Sequence, residues 1–314
     1  MHVVKFNYPE GMSVFRDLMT CEDPVWIGRN GGSDTDFVET WDGKSFDHPS
    51  VSLMRKLNGY FDSRESVENL HRFRQMYKDS SRETDLCTVH MSSRFGDALD
   101  GGVYSQNKLQ YLYGIRKIMC WRFIENCTYF LKSFQEWGSG KRVLVVSPFS
   151  QSITFQTGED RVRHLLQDEY KFPECEFTCV DTPITYNTEG WFCESNSARQ
   201  EDWFSTADQL FANISKEDFD VAWLSCGSYA MYLGPKIKRD LGKDAIYIGG
   251  MANVFFNLYN FRYSSTGHDL SVVNPAYQID ALEHKRLHTP ENVNIFPYSE
   301  GLRAYLGEKP DACE

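Results

Sequence analysis

The feature that most limits what this chain can become is a series of short apolar runs, each ending in small residues and leading into a helix-like stretch. Val25-Trp26-Ile27-Gly28 runs into Arg29-Asn30-Gly31-Gly32-Ser33-Asp34, and Arg142-Val143-Leu144-Val145-Val146 ends at Ser147-Pro148. The segments from Glu176 to Val180, Val221 to Ser225 and Ala245 to Ile248 continue the series. Amphipathic stretches lie between them, near Gln151–Tyr170, Gln200–Asn213 and Tyr229–Leu241. Strands of this length alternating with helices pair in parallel through right-handed crossovers. Strands that are apolar throughout need both faces covered. The expected class is therefore α/β, a Rossmann-like doubly wound and mostly parallel sheet.

One α/β domain over residues 1–314 is expected, since a chain of this length buries a large core. The region from about 45 to 138 reads as a mainly helical insertion, with Cys87 to Met91 as a possible strand inside it. Gly138-Ser139-Gly140-Lys141 marks its boundary. The tail from about 262 to 314 is polar and loop-rich, suited either to the acceptor side of a site or to a surface wrap.

Charge excludes one class of partner. The formal net charge is −11 without any conspicuous Lys/Arg run, so a phosphate backbone is repelled and nucleic acid is not an expected partner. An anionic nucleotide must then be held locally, by a cation, a few Arg or Lys, or helix N-termini. The nine cysteines are odd in number and lack C-x-x-C spacing, which favours reduced thiols and a cytoplasmic location. No apolar run reaches the roughly 18 residues of a membrane span, and the first residues lack a signal-peptide pattern.

In open parallel sheets ligands bind beyond the carboxyl ends of the strands, so the residues following each strand carry the functional reading. Gly31 and Gly32 permit close backbone approach, Arg29 suits a phosphate, and Ser33 lies beside them. Asp34 and Asp36 form a D-x-D pair fit for a hard cation such as Mg²⁺ or Mn²⁺. The plainer alternative is a Gly-Gly turn in which Ser33 or Asp34 caps a helix. After the strongest strand, Ser147, Pro148, Phe149 and Ser152 stand at a helix start, able to face a phosphate or ribose or merely to cap. Gly227, Ser228 and Tyr229 follow the third turn, and Gly249, Gly250 and Asn253 the fourth. Cys226 reads better as a small buried residue than as a nucleophile, because no partner base is identifiable. No G-x-G-x-x-G occurs at these turns, which disfavours a dinucleotide or methyltransferase fingerprint.

The segments GRNGGSDTDFV, KRVLVVSPFSQSI, FDVAWLSCGSYAMYLGPKIKRDLGKDAIYIGG and GGMANVFF together resemble GT-D-type glycosyltransferases of capsular and surface-polysaccharide gene clusters. The resemblance covers Trp26 to Asp42 and Lys141 to Phe256. It implies a nucleotide-sugar donor, uridine-based, a glycan acceptor, and inversion of anomeric configuration. In such proteins a D-x-E motif after the first strand serves the metal and the diphosphate. Asp34 and Asp36 match it here, with Asp in place of Glu. The family's R-F-G-D motif also has a counterpart, Arg94-Phe95-Gly96-Asp97, but chain order favours Arg29–Asp36. Asp36, Asp97 and Glu300 are the candidates for the catalytic carboxylate. His284 and His288 are weaker ones. Two other functions remain open at this point: a nucleotide-binding module without catalysis, and a hydrolase of nucleotide derivatives on the same architecture.

Overall fold

The computed structural model describes residues 4–6, 8–89, 114–115, 117–120, 127–158, 160–183, 202–259, 270–281 and 283. Eight parallel strands form the main sheet. They are β1 (Val4–Phe6), β2 (Trp26–Asn30), β3 (Leu86–Val89), β4 (Lys117–Cys120), β5 (Arg142–Ser147), β6 (Glu176–Asp181), β7 (Val221–Leu224) and β8 (Asp244–Tyr247). Their spatial order is β1-β4-β3-β2-β8-β7-β5-β6, and every pairing in it is parallel. The architecture is a doubly wound α/β sheet.

Alternation along the strands divides two cores. Val143, Val145, Val221, Trp223, Ile246 and Ile27 face one side, while Leu144, Val146, Ala222, Leu224, Ala245 and Trp26 face the other. The first face is covered by α1 (Tyr8–Met19) through Phe15 and Met19, and by α5 (Cys127–Trp137) through Phe130 and Phe134. The second takes α2 (Gly32–Thr40), α3 (Pro49–Asn58), α4 (Val67–Arg82), α7 (Trp203–Ile214) and α8 (Tyr229–Lys236). The Trp26 ring lies so close to Gly234 that a Cβ there would overlap it, which seats α8 directly over β2.

The region expected as a helical insertion does hold α3, α4 and α5. It also supplies β3 and β4, which hydrogen-bond between β2 and β1 and so belong to the sheet itself. Gly138–Lys141 is the tight turn joining α5 to β5, tied down by the Gly140 N–H donating to the Glu174 carbonyl at 2.7 Å. The stretch read as one helix over Gln151–Tyr170 breaks after α6 (Ser150–Gln156). Two 3₁₀ turns follow, at Val162–His164 and Asp168–Tyr170. Past α9 (Met251–Phe255), β9 (Leu258–Tyr259) pairs in parallel with β10 (Ile279–Asp280). Val272, Val273 and Ala281 of the tail are buried in the first core, so its described part is packed rather than draped. Among the described residues no helix is long and apolar enough to cross a membrane.

Candidate functional site

Because all eight strands run the same way, their carboxyl ends share one edge. The chain leaves β5 outward to β6, leaves β7 in the opposite direction to β8, and leaves β2 toward β3. Connections that part in this manner open a crevice at the strand tips, where ligands of such sheets bind. The tips of β2, β8, β7 and β5 are consecutive in the sheet. The four turns singled out in the sequence therefore lie on one rim.

At the β2 tip the left half of the rim is built around Arg29. Its guanidinium lies 5.5 Å from the Tyr247 ring centroid and against Gly249, which follows β8. Gly31 is the N-cap of α2, without a side-chain cap bond. Ser33 donates to the Asn58 Oδ1 at 2.8 Å, and the Asn58 carbonyl accepts from the Ser228 hydroxyl at 3.0 Å. Asn58 is in place because α3 ends there, at left-handed Gly59 (φ 77°). The Trp203 indole N–H donates to the Ser228 hydroxyl at 3.0 Å, and the Trp203 ring stacks on Tyr229 with centroids 5.0 Å apart. One continuous contact chain thus links the β2 turn to the β7 turn.

Asp34 is fully buried, and among the described residues neither carboxylate oxygen meets a donor in hydrogen-bonding geometry. Burial raises its pKa to about 7, with the Asn58 side chain and the Arg29 charge pulling the other way. Asp36 is half-buried on α2. Residues two apart on a helix are turned about 200° from each other, so the two carboxylates do not converge on one ion. Among the described residues no group of three or more His, Cys, Asp or Glu side chains is placed to hold a metal. The described residues therefore do not form a ready-made Mn²⁺ or Mg²⁺ centre.

The remaining expected residues divide by what they already bind. Ser152 is spent inside the protein: its N–H donates to Glu283 at 3.0 Å and its hydroxyl bonds the same carboxylate. The Ser147 hydroxyl accepts from the Phe149 N–H at 3.2 Å, and Ser147, Pro148 and Phe149 are buried. The Gly249 N–H donates to the Leu224 carbonyl at 3.1 Å, so it is not available to an anion. Gly250 is the N-cap of α9, and Asn253 is buried, its Oδ1 meeting no donor among the described residues. Gly227 is left-handed at φ 60°. Burial pushes the Cys226 thiol far above its ordinary range, which removes it as a nucleophile. Asp97, Glu300, His284 and His288 lie outside the described residues.

Sequence reasoning missed Asn58, Tyr247 and Glu283. Tyr247 had a signal, since it closes a strand at the ligand-binding edge. Asn58 and Glu283 had none, because each reaches the rim through a long-range contact.

No protein-family model matches the chain. No curated protein matches it either. Solved structures do. One, described as a selenomethionine-substituted structure of domain of unknown function 1792, shares 13% identity over 80% of this chain and 79% of its own, with a TM-score of 0.47. A second, described as that highly conserved domain having a distinct glycosyltransferase fold, gives the same values. A third, described as a new glycosyltransferase (DUF1792) from Streptococcus sanguinis, is 12% identical over 80% of this chain and 83% of its own, with a TM-score of 0.48. The architecture of this chain rests on its own sheet order, and fold alone does not carry an activity.

Proposed function

We propose that this protein is a glycosyltransferase that moves a sugar from a nucleoside-diphosphate donor, uridine-based, to a hydroxyl of a glycan acceptor. The observation that carries the reading is the convergence of the Arg29, Gly227 and Gly249 turns on adjacent parallel strand tips, with a guanidinium at their centre. On a chain of net charge −11, the Arg29 fork at the strand tips suits a diphosphate.

In the reaction we infer, the acceptor oxygen bonds to the anomeric carbon as the bond from that carbon to the diphosphate oxygen breaks. The electron pair leaves with the nucleoside diphosphate, and Arg29 offsets the charge gathering on it. A carboxylate takes the acceptor proton. Asp36, half-buried on α2, is one candidate, and Asp97 and Glu300 are the others. A single displacement inverts the anomeric carbon, as the resemblance implies. A divalent cation arriving with the donor remains part of the proposal, and no step above depends on it. We further read the protein as cytoplasmic, from an odd number of cysteines without C-x-x-C spacing, and as serving surface-polysaccharide assembly.

A melting-temperature panel of nucleotide sugars, run with and without Mn²⁺, tests the donor class. Ligands that bind only the folded state raise the transition by mass action. Uridine diphosphate sugars are expected to raise it most, and glycan acceptors to receive the sugar in an accompanying transfer assay. A panel in which no nucleotide sugar shifts the transition contradicts the reading. Donor consumption that water alone accounts for makes the protein a hydrolase instead.

A further inference from the structure

Gly249 entered the site as a backbone donor, and its N–H is already bonded to the Leu224 carbonyl at 3.1 Å, as is that of Ile248. Its importance lies in the side chain it lacks. A Cβ at this position would overlap the Arg29 Nη1, while meeting the Tyr247 ring edge at an ordinary contact distance of 3.7 Å. The backbone there is left-handed, at φ 58°. Arg29 therefore reaches across from β2 onto the tip of the next strand and rests in a notch made by the absent Cβ and the Tyr247 ring. A guanidinium lying beside an aromatic ring with its fork fixed loses less freedom when it meets an anion.

We propose that Gly249, with Tyr247, is the positioning element for Arg29, and that this seat sets the protein's recognition of the diphosphate. The second half of this statement rests on the donor reading above; the seat itself does not. Gly249 acts here through Arg29 and touches no substrate.

A double-mutant cycle tests it. Binding of UDP and of uridine is measured by calorimetry for the wild type, Arg29→Gln, Gly249→Asn and the double variant. Asparagine tolerates the left-handed backbone better than other residues with a Cβ, and so separates loss of the seat from loss of the fold. Each single variant is expected to weaken UDP by about tenfold or more, as loss of a charged hydrogen bond does, and to leave uridine unchanged. The double variant should be no weaker than Arg29→Gln alone. A folded Gly249→Asn that binds UDP normally, or two losses that multiply, overturns the proposal. A wild type that binds no UDP overturns the donor reading and the role in recognition with it. The seat is then judged by the Arg29 side-chain N–H resonance: displacement in Gly249→Asn supports it, and an unmoved signal sinks it.

Discussion

Arg29 and Asp34 lie five residues apart in sequence and meet opposite fates. Arg29 is carried to the rim by the closing residues of β2, whereas Asp34 is turned inward on the first turn of α2 and loses its water entirely. A carboxyl placed so favours its neutral form, and its pKa of about 7 reflects that burial. The ion pairs at the opposite edge of the sheet behave differently. Arg142 forks onto Asp220 there, with Nη2–Oδ1 at 2.8 Å, and holds the Asp220 carboxyl down at about 2, against an ordinary 3.8. A depressed acid stabilises the fold above its unfolded pKa and gives that stabilisation up as pH falls. Urea titrations of the wild type and Asp220→Asn should therefore differ at neutral pH, with the wild type more stable. The gap should close as pH drops through 3.8 toward about 2. A gap that stays constant across that window would mean the pair contributes nothing through charge.

Among the elements, the strands were legible and much between them was not. Continuous β-branched runs such as Arg142–Ser147 announce buried parallel strands, and their closing small residues announce the rim. Within the helix-rich region β3 was legible as the possible strand from Cys87 to Met91, whereas β4 escaped because four residues inside a region dense in helix formers carry little periodic signal. The D-x-D pair shows how text and space differ: two carboxylates adjacent in text diverge once a helix starts at Gly32. Packing of β7 gives a direct test of the element scale. Trp223 is fully buried among Phe130, Phe134, Phe172, Phe177, Phe255 and Phe256. Among the described residues its indole N–H has no hydrogen-bond partner. Trp223→Ala should cost about 3–5 kcal/mol in denaturant unfolding. Trp223→Phe discards an unsatisfied polar group along with some volume, and should cost well under half as much. Equal costs would show that the ring packing does not govern this core.

For the whole molecule, the sheet order turns scattered sequence segments into a single edge. An acidic chain that holds an anion must concentrate its positive potential somewhere, and among the described residues the carboxyl rim brings left-handed Gly227 and Gly249 together with the Arg29 guanidinium, which lies against the neighbouring strand tip. At the opposite edge Arg142, Lys238 and Arg239 are paired with Asp220, Asp85 and Glu83. Hydrogen–deuterium exchange of the full chain with and without UDP distinguishes these two edges most directly. The account predicts slowed exchange on UDP binding in residues 29–34, 225–229 and 247–251, with residues 83–85, 218–220 and 238–240 unchanged. Protection centred on the second group, with the first left as exchangeable as before, would contradict it.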